Sequence, residues 1–282
     1  MNYRHGFHAG NFADVVKHAV LARIVMHLRA KTAPFRVIDT HAGAGLYDLE
    51  GPEASRTGEW RDGIGRLRTA AFAPQVRELL APYLEAIAAF NPPGGLELYP
   101  GSPLLVRQWL RTQDRLIACE LEPVAAAALQ QNLGRSKRVK TLAIDGWTAL
   151  TAYVPPKERR GLVIVDPPFE EPNEFIRLAE ALTTAHRKWP KGIYLLWYPI
   201  KDRSGPDTLA KRIKRAAIGK VLRAELTIAP FPDAGRLTGC GLIIVNPPWT
   251  LESEIQMLFP ALARCFSQRE SGFRLDWLAG EK

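Results

Sequence analysis

Short apolar runs closed by an acid or a proline alternate along this chain with stretches whose apolar positions recur every three or four residues. The most informative run is 161–169, GLVIVDPPF. Its four consecutive apolar residues, Leu162, Val163, Ile164 and Val165, predict a strand buried on both faces, as in a parallel sheet. Two prolines follow Asp166 and cannot continue a sheet ladder, so the chain must leave the sheet there with a carboxylate at the strand's carboxyl end. Further strands are predicted over 35–41, 115–122, 139–146, 192–200, 221–230 and 239–248. Helical periodicity fills the intervals. Over 11–31, Asn11 suits an N-cap, and Val15, Val16, Ala19, Val20 and Ile24 form one apolar stripe. Helices are also predicted over 123–133, 172–189 and 209–217, and another opens with Ser102 as N-cap and Pro103 in its first turn. Residues 47–100 break the rhythm with a charged, glycine-rich segment and a helix over 74–90. They read as a small helical insertion after the first strand. The pattern as a whole is that of an α/β chain forming one domain over 1–282.

Composition narrows the setting. The chain has 282 residues, 46% of them hydrophobic and 24% charged, as in an ordinary globular protein. No apolar run approaches the ~18 residues a membrane span needs, and the start lacks a signal peptide's apolar core. Cys119, Cys240 and Cys265 are few and scattered, which suits a reducing cytoplasm and argues against disulfides or a cysteine zinc site. His5, His8 and His18 have no matching carboxylate cluster, so no metal is expected. The net charge of +9 fits a polyanionic partner. Basic runs at 135–138, 157–160 and 211–215 suggest phosphate contacts. The chain carries no zinc knuckle, RNA-recognition signature, helix-turn-helix or repeat.

Candidate chemistry gathers at the strand ends. The first strand runs into Ala42-Gly43-Ala44-Gly45, a loop that lets a ligand approach the backbone closely. It is neither a Walker loop nor the dinucleotide fingerprint, and it suits the first loop of an S-adenosylmethionine (SAM) methyltransferase. Glu120 would accept hydrogen bonds from ribose hydroxyls, and Asp145 would sit near the cofactor's adenine. Asp166, Pro167 and Phe169 suit methylation of an exocyclic amine. The Asp166 carboxylate and the Pro167 carbonyl can accept from both hydrogens of adenine N6 and favour a pyramidal nitrogen, while Phe169 stacks on the extruded base. A second copy of the signature, Asn246-Pro247-Pro248-Trp249, ends the last major strand. Only one copy can lie beside the glycine loop. The fourth strand of a methyltransferase sheet adjoins the first and the last lies toward the far edge, so chemistry is expected at Asp166 and a turn at Asn246.

With YRHGFHAGNFADVVKH near the start, then DTHAGAG, YPGSP, DPPF, LWYP and NPPW, the chain resembles, over essentially its whole length, the 23S ribosomal RNA adenine-N6 methyltransferases called large-subunit methyltransferase J. The resemblance implies a Rossmann-like SAM-dependent methyltransferase fold with a small helical insertion. It implies a metal-free, monomeric, cytoplasmic enzyme that methylates one adenine of 23S RNA, protein-free or in an early assembly intermediate, and releases S-adenosylhomocysteine. Carried over by position, His18, His41, Gly43, Ser102, Glu120, Asp145 and Gly146 contact SAM, with Lys17 close by. Asp166 is the catalytic acid, and Tyr3 and His5 form an arm near the methyl-transfer site. Phe169 stands where many relatives carry Tyr, which keeps the stacking surface and loses a hydroxyl. Two other readings are an amino methyltransferase acting on DNA adenine or a glutamine side chain, and a non-catalytic nucleic-acid-binding protein linked to DNA uptake. The lack of a DNA-reading domain counts against the first, and the intact Asp166 and Glu120 against the second.

Overall fold

The structure, a computed structural model, describes residues 4–230, 237–267 and 271–280. A long helix α1 (Phe12–Arg29) leads into strand β1 (Arg36–Asp39). There follow β2 (Leu46–Asp48), α2 (Pro52–Thr57), α3 (Arg66–Thr69), α4 (Pro74–Ala88), β3 (Leu98–Pro100) and α5 (Ser102–Trp109). The α/β alternation then runs β4 (Arg115–Glu120), α6 (Pro123–Leu133), β5 (Val139–Ala143), α7 (Gly146–Tyr153), β6 (Gly161–Val165), α8 (Glu174–Lys188) and β7 (Ile193–Ile200). The chain closes with α9 (Ser204–Arg215), β8 (Val221–Thr227), β9 (Gly239–Val245), α10 (Leu251–Phe266) and β10 (Gly272–Ala279).

Eight strands form one sheet in the order β10-β8-β9-β7-β6-β1-β4-β5, and β2 pairs with β3 apart from it. The run β7-β6-β1-β4-β5 is parallel, whereas β9 is antiparallel to both of its neighbours, β7 and β8. The order reverses between β1 and β6, the kind of switch point where open α/β sheets take their ligands. All five residues of β6 are buried, because helices cover both faces of a parallel sheet. Among the described residues, no helix is long and apolar enough to cross a membrane.

Three elements depart from the sequence reading. Helix α1 carries no single apolar stripe and is buried nearly all round, Lys17 and His18 included. The sheet holds one side of it, while α4, α5 and α10 cover the others. Its N-cap is Asn11, whose Oδ1 accepts from Asp14 N at 3.0 Å. Ser102 is not a cap: Gly101 occupies that position, and Ser102 Oγ donates to Asp39 Oδ2 at 2.6 Å. The edge strand β10 is mostly half-exposed, and Arg274 and Asp276 interrupt its apolar residues, so no apolar run announces it.

The direction of β9 decides between the two proline signatures. Because β9 is antiparallel, its end lies beside the amino ends of β7 and β8, where Val245 pairs with Tyr194 and Val221. Asn246 is therefore a full strand length from the glycine loop. It sits in the left-handed region at φ 51°, and its Nδ2 donates to Pro190 O at 2.8 Å and Gly192 O at 2.7 Å. Replacing Asn246 with Ala removes both bonds and leaves two carbonyls short of a partner. Stability is expected to fall by about 1–3 kcal/mol, seen as a lower urea midpoint at unchanged m-value. An unchanged midpoint would mean that the turn holds itself.

Candidate active site

A cavity of about 660 Å³ opens over the carboxyl ends of β1, β4, β5 and β6. Its floor is the loop after β1. Gly43 and Gly45 have φ of 61° and 81°, which favours glycine, and a Cβ on Gly43 would lie 2.2 Å from Tyr47 Oη. Gly43 N donates to Glu120 Oε2 and Glu122 N to Glu120 Oε1, both at 2.8 Å. One carboxylate thus ties the glycine loop to the end of β4. At the end of β5, Asp145 Oδ2 accepts from Thr148 N at 3.0 Å and caps α7. A Cβ on Gly146 would come within 2.3 Å of Thr40 O and 2.7 Å of the His41 ring. Burial lowers the His41 pKa to about 4, so the ring is neutral at pH 7. Thr40 Oγ1 spends its proton on Ile164 O, so His41 Nδ1–H donates to Thr40 Oγ1 and Nε2 is left as an acceptor.

The opposite wall is ionic and buried. Lys17 Nζ donates to Asp166 Oδ2 at 2.5 Å and to Asp14 Oδ1 at 2.8 Å. The other Asp14 oxygen bonds His5 Nε2 and Gly10 N, each at 3.0 Å. Burial opposes charge on Asp14, yet His5 and Lys17 outweigh it and hold the carboxyl well below its ordinary range. Burial likewise opposes charge on Lys17, and Asp14 and Asp166 reverse it, raising the ammonium well above its usual value. Below this network, burial pushes Asp39 up to about 7, against the Ser102 bond and the nearby Lys17 charge. His18 Nδ1 lies 2.7 Å from Tyr99 Oη, which is 2.9 Å from Tyr83 Oη. Burial and the Lys17 charge keep His18 neutral.

Of the residues singled out in the sequence, His5, Lys17, His18, His41, Gly43, Ser102, Glu120, Asp145, Gly146 and Asp166 all line the cavity. Tyr3 lies outside the described residues. Pro167 and Phe169 are not on the wall, where Pro168 stands instead. Phe169 takes φ 53°, its N donates to Glu174 Oε2, and its ring packs 4.8 Å from Phe175 and 5.9 Å from Trp197. The stacking surface expected of Phe169 is thus engaged in an aromatic cluster beside the cavity. The sequence reading passed over Asp14, noted only for its place in a capping pattern, and Tyr47, which accepts from Ala44 N. It also passed over Trp147, which has the His41 ring at 5.2 Å and the Arg177 guanidinium at 4.7 Å. The aromatic next to Gly146 was the one local signal for that group.

A parallel sheet with an antiparallel strand between β7 and β8, and a cofactor-sized cavity over a glycine loop, define a SAM-dependent methyltransferase of Rossmann-like fold. The chain belongs to the family whose model is described as ribosomal RNA large subunit methyltransferase D, RlmJ, which matches residues 32–279. It is 37% identical over 284 residues to the ribosomal RNA large subunit methyltransferase J of Haemophilus influenzae, covering 100% of both chains. The Escherichia coli protein of the same name is 38% identical over 262 residues, covering 93% of this chain and 92% of its own. A crystal structure from Legionella pneumophila, 34% identical, superposes with a TM-score of 0.86 over 95% of this chain and 98% of that one.

The residues present fit SAM. His18 lines the cavity and Asp39 lies behind it; His18 Nε2 and Asp39 Oδ1 are both buried without a hydrogen-bond partner among the described residues. Gly43 and Gly146 let the cavity-lining loops pack closely on Tyr47, Thr40 and His41, where any side chain would collide. Replacing Glu120 with Ala unties the glycine loop and removes the acid expected to accept from the cofactor's ribose. SAM affinity is expected to fall by about 1.5–3 kcal/mol, measured by titration calorimetry, and unchanged affinity would count against the assignment. A second expectation concerns pH. The folded-state pKa of Asp39 is raised to about 7, so its contribution to stability is complete below about pH 4 and is lost as pH rises toward 7. Asp39→Asn keeps an acceptor for Ser102 and abolishes the titration. The variant should melt higher than wild type at pH 8, with the difference shrinking toward pH 4. A difference independent of pH would refute that account.

Proposed function

We propose that the protein transfers the methyl group of SAM to N6 of one adenine in 23S ribosomal RNA, acting as a cytoplasmic monomer on protein-free or early-assembly RNA. In this reading residues 47–100 are an insertion within a single methyltransferase domain. One observation carries it: Asp166, at the end of the strand beside β1, lines the same cavity as the glycine loop and is held there by Lys17. The names of the Haemophilus and Escherichia relatives support the RNA substrate.

Bound SAM supplies an electrophilic methyl group. The protein's part is to make a poor nucleophile better and to hold it in line. Lys17 occupies Asp166 Oδ2, which leaves Oδ1 to accept an N6 hydrogen, whereas Pro167 is buried off the cavity wall. The Asp166 carboxylate draws the amine toward a pyramidal nitrogen whose lone pair is no longer shared with the ring. The gain is largest as the N–C bond forms, so it acts on the transition state more than on binding. Glu120, His41 and Gly146 hold the nucleoside end of the cofactor. Where Tyr99 donates to Nδ1, the neutral His18 ring carries its proton on Nε2 and would offer it to the carboxylate of the cofactor. Asp14 joins Lys17 to His5, so the catalytic acid and the amino-terminal arm are positioned together.

Asp166→Ala is expected to abolish methyl transfer and leave SAM affinity nearly unchanged, because the carboxylate is needed in the chemical step. The assay is transfer of labelled methyl from SAM to protein-free 23S RNA, intact large subunits and adenine-containing duplex DNA, followed by nucleoside analysis. N6-methyladenosine in naked RNA alone is the expected product. Preferential labelling of DNA, or full activity in the variant, would overturn the reading.

A further inference from the structure

The direction of the strands sorts the protein's charge into two ends. At the carboxyl edge, the cavity mouth carries Asp48, Glu53, Glu122, Glu170 and Glu171. Of the cations there, Arg4 pairs with Glu53, and Arg177 lies over Trp147. This rim suits a cationic cofactor and repels phosphate. The attraction for a polyanion implied by a net charge of +9 must therefore reside elsewhere.

It resides at the opposite edge. The loops that feed β1, β4, β5, β6, β7 and β8 all enter from that side, because those strands run the same way. Each such loop carries a Lys or Arg: Lys31, Arg111, Lys137, Lys157, Lys191 and Lys220 in turn. The acids in these loops are Asp114 and Glu158, and each is taken by an arginine, Arg111 and Arg36. Glu252 and Glu254, which open α10 on the same side, bond Trp277 and Arg23. Some of the basic residues are structural. Arg160 and Arg111 hold carbonyls where α1 ends, and Arg138 holds Leu110 O. Burial and the Arg111 charge together lower the Arg160 pKa. Lys31, Lys137, Lys157 and Lys191 are exposed. Toward one end of this row, on the turn after β9 and between the β7 and β8 loops, Trp249 is 85% exposed. At ~4.8 Å between strands, the row from β5 to β8 spans roughly 30 Å.

We infer that this edge is a second RNA-binding face, which holds phosphates of the ribosomal RNA away from the nucleotide being methylated, with Trp249 as a platform for an unpaired base. At ~3.3 Å per residue, the eight residues of β7 put it roughly 25 Å from the cavity. It acts on affinity and leaves the chemical step alone. A large folded RNA can reach both ends, and phosphate contacts with one stacked base need no sequence-reading module. The inference rests on the proposed RNA substrate.

The test uses the full chain, protein-free 23S RNA and two variants in exposed positions, K137E/K157E/K191E and W249A. For the triple variant, RNA affinity should fall about tenfold or more at moderate salt, and the slope of log K against log salt should flatten by about 2–3. W249A should weaken binding with the slope unchanged, because stacking releases no counterions. In both, the SAM dissociation constant and kcat at saturating RNA should match wild type while KM for RNA rises. Unchanged RNA affinity in the triple variant overturns the inference, as does a fall in kcat with KM preserved. Wild-type protein that binds 23S RNA but does not methylate it refutes the substrate reading, and the binding comparison still decides this one.

Discussion

The interaction on which the rest depends is the ammonium of Lys17, buried between the carboxylates of Asp14 and Asp166. Removing three charges from water costs several kcal/mol per ion, and the attraction recovers this only with close geometry and further hydrogen bonds. Both conditions hold: the contacts are 2.8 and 2.5 Å, and His5 and Gly10 N satisfy the far oxygen of Asp14. The arrangement explains why α1, which precedes the sheet in sequence, is its central covering helix. A lysine on its second turn has to reach an acid at the end of β6, and that fixes the helix's height and rotation over the sheet. Helices α4, α5 and α10 pack against the remaining sides of α1 and hold it in that position.

The sheet imposes the second constraint. Parallel strands deliver all their carboxyl ends to one edge, so Glu120, Asp145 and Asp166 converge although their loops are unrelated in length. One antiparallel strand, β9, sends an almost identical signature to the other edge. The same four-residue pattern is thus a wall of the cavity in one place and a brace on the β7 turn in the other. What separates them is strand direction, which four residues cannot encode.

That difference marks how far the sequence could be read. The parallel strands were legible because each is a short apolar run ended by an acid or proline, and those local signals place Glu120, Asp145 and Asp166 at one edge without any knowledge of pairing. The reason first given for setting Asn246 aside, its distance along the sheet, was incomplete, since the direction of β9 moves it to the opposite edge. Asp14 was visible only as a residue three beyond an N-cap; its partners His5 and Lys17 are near in sequence, but the acid that gives the group its purpose is 149 positions from Lys17. The Phe169 ring misled because its letter fits a stacking role, while its orientation is set by Phe175 and Trp197, which no local pattern ties to it. Strand β10 was missed because a half-exposed edge strand has no apolar run to betray it.

Charge follows the same geometry. A strand that ends in an acid at the cavity begins, on the far side, in a loop that needs polar or basic residues to meet water and to satisfy helix carboxyl ends, which favour cations. Repeated over parallel strands, that local preference sums to a molecule with an acidic mouth and a basic back. The mouth concentrates a cationic cofactor and keeps phosphate out of the water-poor site where the amine must react. With a Debye length of about 8–10 Å at physiological salt, the two ends barely sense each other. A nucleotide entering the cavity must therefore be driven in by its own contacts there, with the rest of the RNA held where the charge is favourable.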